Sequence, residues 1–379
     1  MDIIIGADFV PTKSNFRYFE ENDEEFLLGN ELKNILHSAD LRIFNLEIPL
    51  CDNENKINKH GPCLLAPVST ASFYKQLGVD IFTIANNHIM DQGETGFKST
   101  LETLKKFNIS TVGGGINKYE ASEPYILTLN DKKVGVYACA EHEFSIATDS
   151  KCGANGYDPI RSYKDIENIK KECDYIIVLY HGGKEHYRYP SPKLQDICRN
   201  FVDAGADIVI CQHSHCIGCK ENYKNSTIVY GQGNFLFDNL ESDYWKTGLL
   251  IKIKNLSEIE YIPIIKEKNS VRLAKRYQRE EILSEFEHRS IKITCGGFVA
   301  NNFENFSSEL IFDYLWDISG ASNSRFMKII NKLSGYRFYK FYVKRKFKTK
   351  DILALLNRFE CETHREIIIS GLKHILGEG

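Results

Sequence analysis

At 379 residues, with 42% apolar and 26% charged residues, the chain has the composition of a soluble globular protein with one large domain and a smaller appendage. A formal net charge of −3 excludes whole-surface attraction to nucleic acid, and no apolar run approaches the roughly 18 residues of a membrane span. The 11 cysteines, an odd number without repeating spacing, exclude a disulfide framework and read as small buried hydrophobes in a reducing compartment. The start Met1-Asp2-Ile3-Ile4-Ile5-Gly6 lacks the pattern of a signal peptide, so a cytoplasmic location is expected.

In chain order, residues 2–8 read as a short apolar strand with Asp8 at its exit. Leu41 to Phe44 is the next strand and runs into Asn45-Leu46-Glu47. Residues 69–77 read as a short helix, and Val79 to Ala85 as a buried strand that delivers Asn86-Asn87-His88. A helix from about Thr95 to Phe107 carries Phe97, Leu101, Leu104 and Phe107 on its apolar side. The strand Ser110 to Val112 leads into three glycines. They lack the Lys-Ser/Thr of a phosphate loop and the spacing of a dinucleotide fingerprint, and read as a tight turn.

Ile126 to Leu129 and Val134 to Ala140 flank a turn sequence, Asn130 to Lys133, and read as a hairpin, followed by Glu141-His142-Glu143. After a helix at about 163–172, the strand Tyr175 to Tyr180 ends at His181, with Glu185 close behind. Ser191 as cap, Pro192 in the first turn and Gly205 at the end frame the next helix, with Leu194, Ile197, Cys198, Phe201 and Val202 on its buried face. The strand Ile208 to Cys211 then meets His213-Ser214-His215, whose imidazoles face one way if the backbone stays extended. Thr227 to Tyr230 precedes Gly231-Gln232-Gly233-Asn234-Phe235, and residues 247–254 and 258–264 read as a closing hairpin.

Strands alternating with helices imply an α/β layered core with a sheet covered on both faces and ligands beyond the strand ends. This core is expected over 1–268, with a mainly helical region over 269–379. Within the latter, residues 336–350 hold seven Lys or Arg, no acid and six aromatics. They read as a solvated helix with its aromatics packed on the core, in preference to a membrane-surface or nucleic-acid segment.

Asp8, Glu47, Asn87, His88, His181, His213 and His215 all fall at or just after strands. A lone histidine is usually structural, but seven such residues at strand exits are hard to assign to coincidence. Carboxylate, amide and imidazole together suit a divalent transition metal, with Mn, Fe and Zn equally compatible. The order Asp, Asn-x-Glu, Asn-His, His, His-x-His resembles the calcineurin-like metallophosphoesterases. Within them, NLEIPL, IANNHIMDQGETGFKSTLETL, HGGKEHYRYPSP, AGADIVICQHSH and VYGQGNFLFD resemble the CapA branch, associated with bacterial poly-γ-glutamate capsule synthesis. These stretches span roughly residues 1–240.

The resemblance implies a calcineurin-like layered core of mixed β-sheets flanked by helices, and two divalent metal ions. Asp8, Glu47 and His215 would serve the first ion, and Glu47, Asn87, His181 and His213 the second, with Glu47 bridging. His88 would protonate a leaving group or steady an oxyanion, and Glu185 would orient substrate or water. Such a hydrolase clamps the oxygens of an in-line displacement and supplies hydroxide by lowering the pKa of water at the metals to about 7. Its substrate would be a phosphoester or related anionic small molecule or polymer, linked to capsule or poly-γ-glutamate metabolism, with no nucleic acid as partner.

Three departures stand out. Val10 occupies the position of a histidine in the wider superfamily, so the first ion is one ligand short, with His142 or Glu143 as candidate replacements. Gly182 stands where the branch usually has Trp, which would widen the pocket, and the branch's common N-terminal membrane anchor is not visible. Two other readings remain: a non-catalytic assembly or polymer-binding factor on the same fold, and a structural zinc cluster of His213, His215, Cys216 and Cys219.

Overall fold

The computed structural model describes residues 1–237 and 242–377, so Asp238, the last residue of the VYGQGNFLFD stretch, lies outside the described residues. The strands begin with β1 (Asp2–Phe9), β2 (Leu41–Asn45), β3 (Ile81–Thr83), β4 (Ser110–Val112), β5 (Gly114–Gly115), β6 (Tyr125–Leu129), β7 (Lys132–Ala140) and β8 (Gly153–Ala154). They continue with β9 (Tyr175–His181), β10 (Ile208–Gln212), β11 (Lys220–Tyr223), β12 (Ser226–Tyr230), β13 (Asn234–Leu236), β14 (Thr247–Lys254), β15 (Glu258–Glu267) and β16 (Ser270–Leu273).

Two mixed sheets result. One has the order β16-β15-β14-β1-β2-β3-β4 with β13 also on β1, and the other the order β11-β12-β10-β9-β7-β6. Strand periodicity explains how they stack. Ile3 and Ile5 of β1 join Val136 and Ala138 of β7 and Ile177 and Leu179 of β9 in one apolar layer between the sheets. Ile4, one residue out of phase, turns instead toward Leu27, Leu28, Leu32 and Phe73 of the helices on the outer face. On the second sheet Tyr137, Ile176 and Val178 turn outward onto Leu194, Ile197 and Phe201. Each such aliphatic side chain contributes about 1.5–3 kcal/mol on burial. The layered α/β core expected from the sequence is therefore present, with one difference. Its strands are buried on both faces because one face meets helices and the other meets the second sheet.

Local structure follows the sequence closely in this unit. Ser191 accepts a hydrogen bond from Leu194 N and Pro192 opens the helix Pro192–Asp203. The β6–β7 hairpin turns at Asn130 and Asp131, both at positive φ as a two-residue hairpin turn requires. Among the three glycines, Gly113 has φ +82, and a Cβ there would lie 2.7 Å from the Ala85 Cβ. Gly114 and Gly115 pair with β8, so the triplet is a packed turn. The helix Glu24–His37, broken by non-helical Gly29, has no counterpart among the sequence expectations.

The chain divides into compact units at Met1–Ala300 and Asn301–Gly379. The first extends past residue 268, the boundary drawn from the sequence, because β16 adds to the β15 edge and Phe286 of the helix Arg276–Ile293 enters the intersheet layer. The second unit is helical. It gathers Trp316, Leu315, Ala321 and Val343 with Phe338, Tyr339, Tyr342 and Phe347 into a small core. Four of the six aromatics of 336–350 thus pack as expected, on this unit's own core, whereas Tyr336 and Phe341 are exposed. Among the described residues no helix is long and apolar enough to cross a membrane.

Candidate metal centre

The site grows from strand register. β1 pairs with β2 and β13 so that Asn45, Asp8 and Asn234 lie in one row across three strands. In the second sheet β9 and β10 set His181 opposite Gln212. Asp8, Asn45, His181 and Gln212 sit at the carboxyl ends of their strands, where side chains of different strands converge, and Asn234 joins them from the start of β13.

Glu47, Asn87, His181 and His213 form the denser group. His181 Nε2 lies 3.1 Å from Asn87 Oδ1, 3.4 Å from Glu47 Oε1 and 3.0 Å from His213 Nδ1. One imidazole nitrogen carries at most one proton, so it cannot satisfy three such neighbours. Burial pushes the His181 imidazole down to about 3 and, with His181 and His215 nearby, holds His213 well below the ordinary histidine range. Both rings are therefore neutral and able to ligate at pH 7. Glu47 is fully buried, and neither of its oxygens has a hydrogen-bond partner. Burial and the neighbouring Asp8 raise its carboxyl well above the usual range. An unpartnered buried carboxyl among neutral imidazoles fits a divalent cation in its donor chemistry, since a cation favours the ionised form that burial and Asp8 oppose.

Asp8, Glu47 and His215 form the second, sparser group around the shared Glu47. Asp8 is already engaged. Asn45 Nδ2 donates to its Oδ1 at 2.6 Å, and His215 Nδ1 lies 3.2 Å from its Oδ2 and 2.9 Å from Asn234 Oδ1. Burial opposes both charges, yet the pair outweighs it: Asp8 is held below the usual carboxylate range and His215 above the usual imidazole range. Val10 points into the apolar core and supplies nothing here. Trp245 packs 4.6 Å from the His215 ring, with Phe237 at 5.8 Å, and Trp245 Nε1 donates to His186 Nε2 at 2.8 Å. Lys266, buried, donates to the Asn234 carbonyl. Burial lowers its ammonium to about 7 against the pull of Asp8.

The two histidines do not reach the site from an extended strand. β10 ends at Gln212, and His213 and His215 take φ of +85 and +52. Left-handed backbone at non-glycine residues costs of order 1–3 kcal/mol each, which the surrounding packing offsets.

His88 stands beside Asn87, with Nδ1 2.6 Å from Asp91 Oδ2. Lys59 is paired with Asp91 Oδ1 and lies 3.2 Å from His88 Nδ1. Glu185 is half-buried and acts on Glu47 and His215 through its charge. The proposed replacements for the missing ligand do not reach the sparser group. His142 Nε2 bonds the Tyr157 carbonyl, and Glu143 groups with Glu141 and His213. Position 182 is not open space either, since a Cβ there would come within 2.8 Å of the Tyr180 ring. Cys216 and Cys219 join no candidate metal group among the described residues, which removes the zinc-cluster reading.

Asn45, Asn234, Lys59, Asp91 and Glu141 were not among the sequence candidates. Burial raises the Glu141 carboxyl to about 7, and its Oε1 lies 3.6 Å from His213 Nε2. Its position at a strand exit was the available signal. For Lys59, in an irregular loop, there was none.

Residues 10–239 match the family described as bacterial capsule synthesis protein PGA_cap. The capsule biosynthesis protein CapA of Bacillus anthracis is 31% identical over 181 residues, covering 46% of this chain and 44% of that protein. The PGA biosynthesis protein CapA of Bacillus subtilis is 28% identical over 248 residues, covering 62% of this chain and 64% of that one. The chain thus spans less than two thirds of either relative. A solved structure described as a novel phosphatase from Mycoplasma pneumoniae overlaps 71% of this chain and 94% of its own, at 16% identity and a TM-score of 0.46.

Proposed function

This chain belongs to the PGA_cap family of bacterial capsule synthesis proteins, and from that premise we propose a metal-dependent hydrolase acting on a phosphoester or a related anionic substrate. The observation that carries the reading is Glu47: a fully buried carboxyl with two unpartnered oxygens, facing two imidazoles kept neutral by burial. Glu47, Asn87, His181 and His213 would hold one divalent ion, and Asp8, Glu47 and His215 a second. Such ions, when bound, polarise the substrate's phosphoryl oxygen and make water a nucleophile at neutral pH.

The chain's own groups supply the remaining functions. The Asp91 bond fixes the His88 ring through Nδ1, so that in the imidazolium form Nε2 carries the proton the ring would hand to a leaving-group oxygen, ending as the neutral Nδ1–H form. Lys59 neutralises Asp91 behind that ring, so the carboxylate orients His88 without adding net negative charge beside an anionic substrate. Glu185, half-buried and in electrostatic reach of Glu47 and His215, would orient water or substrate. The link to capsule or poly-γ-glutamate metabolism rests on the names of the relatives. Elemental analysis of the purified chain, paired with hydrolysis of an aryl phosphate and a diester, tests the reading. Divalent metal and turnover, both lost in His213→Ala, are expected; a variant that kept both would sink the assignment.

A second reading, a non-catalytic polymer-binding factor, is favoured by the sparser group, where Val10 turns into the core and Trp245 covers His215. Metal-loaded protein that binds poly-γ-glutamate yet turns over nothing in a phosphoester panel would select it.

A further inference from the structure

Residues 325–350 in the helical unit contrast with the rest of the chain. The whole sequence holds 48 basic and 51 acidic residues, yet this stretch carries ten Lys or Arg and no Asp or Glu. It also exposes large apolar side chains. In the helix Arg325–Leu333, Phe326 is 70% exposed, Ile329 58% and Leu333 83%. Their spacing of three and four residues sets them on one helix face. Further on, Phe341 is 60% exposed, and with Lys344, Arg345 and Lys348 it lines a shallow depression on the surface. The aromatics that the small core needs, Phe338, Tyr339 and Tyr342, are already packed there. The exposed set is therefore surplus to folding this unit.

We propose that residues 325–350 form a docking face for an anionic phospholipid surface, with Phe326, Ile329, Leu333 and Phe341 entering the interfacial layer. Lys344, Arg345 and Lys348 would then gather around a lipid phosphate. Charge and apolarity together select this partner. A soluble polyanion would satisfy the cations but leave the phenyl and aliphatic side chains in water. A second copy of the same face would set ten cations against ten. An anionic bilayer meets both needs, because its headgroups attract the Lys and Arg side chains while the acyl boundary accepts the apolar ones. The face lies within one unit and requires no metal, so the inference stands apart from the hydrolase reading.

The test uses the full chain in flotation with vesicles of phosphatidylglycerol mixed into phosphatidylcholine, and with vesicles of phosphatidylcholine alone. Binding to the anionic vesicles, weakened by salt, is expected. Each Lys or Arg near such a surface is worth about five-fold in partitioning, so Lys344→Gln, Arg345→Gln and Lys348→Gln together should cost about 100-fold. Phe326→Gln, Ile329→Gln and Leu333→Gln together should also release the protein from vesicles, with circular dichroism showing that the unit stays folded. If the apolar variant unfolds, the cation variant alone decides. Failure to bind anionic vesicles overturns the proposal. So does tight binding of soluble polyglutamate or RNA that the apolar variant retains in full, which would mark the face as a polyanion site.

Discussion

The two donor groups that share Glu47 are built on opposite plans. Around His181 four donor atoms crowd together with fewer protons than lone pairs, and burial keeps both imidazoles neutral. Around Asp8 the carboxylate already has partners in Asn45 and a proton-favouring His215, the ring is covered by Trp245, and the buried Lys266 lies behind. A cation entering the first group relieves an electrostatic conflict, whereas one entering the second must break an existing pair. Donor count alone does not set metal affinity. The protonation state that the fold imposes on the donors before metal arrives matters as much.

Substitution at the shared residue should have the largest effect. Glu47→Gln removes the carboxylate from both groups. Losing a hydrogen-bond partner behind a ligand already costs about 10–100-fold in metal affinity, so losing the ligand should cost more than about 100-fold. The metal-free variant should melt higher than metal-free wild type, because the buried group beside Asp8 no longer ionises in the unfolded chain and so no longer has to be neutralised on folding. A lower melting temperature in that comparison would contradict the electrostatic conflict described above.

Separating the groups is the next test. His213→Ala should lose the tightly held ion and lower turnover more than about 100-fold. His215→Ala should leave that ion in place, as metal-per-chain measurements on the two variants would reveal; the reverse pattern would invert the ranking.

Restoring the absent histidine gives a smaller effect. Val10→His should lower stability by about 1–3 kcal/mol in a melting experiment, since the side chain faces a packed apolar cluster. Bound metal should not rise; a gain would show that position 10 can still reach the site.

A test that changes no ligand is pH dependence. Burial lowers Lys266 to about 7 in the folded chain against 10.5 for an ordinary lysine, so between these pH values the unfolded chain binds more protons. Stability of the metal-free protein should therefore rise as pH increases from about 7 to 10, by at most about 1.4 kcal/mol per unit from this group. Denaturant titrations of Lys266→Met should show a flatter profile over that window.

Much of the first unit was legible in the chain. The helix with Ser191, Pro192 and Gly205 at its ends, the hairpin at Asn130-Asp131 and the apolar runs of β9 and β10 are local signals that tertiary structure did not override. The helix Glu24–His37 was harder to read, because Gly29 interrupts its pattern. In the site, Asp8, Glu47, Asn87, His181, His213 and His215 converge as their positions at strand exits suggested.

By itself the sequence determined which residues leave the strands with donor atoms, since strand patterns and caps are encoded within a few neighbouring positions. Only the tertiary structure decided how those donors divide. Strand register set Asn45 and Asn234 beside Asp8, and left-handed backbone aimed His213 and His215. Packing turned Val10 away, and a loop residue, Lys59, came to lie behind His88. Proton affinity in such a place depends on burial and on charges distant in sequence, and those exist only once the two sheets have closed on each other.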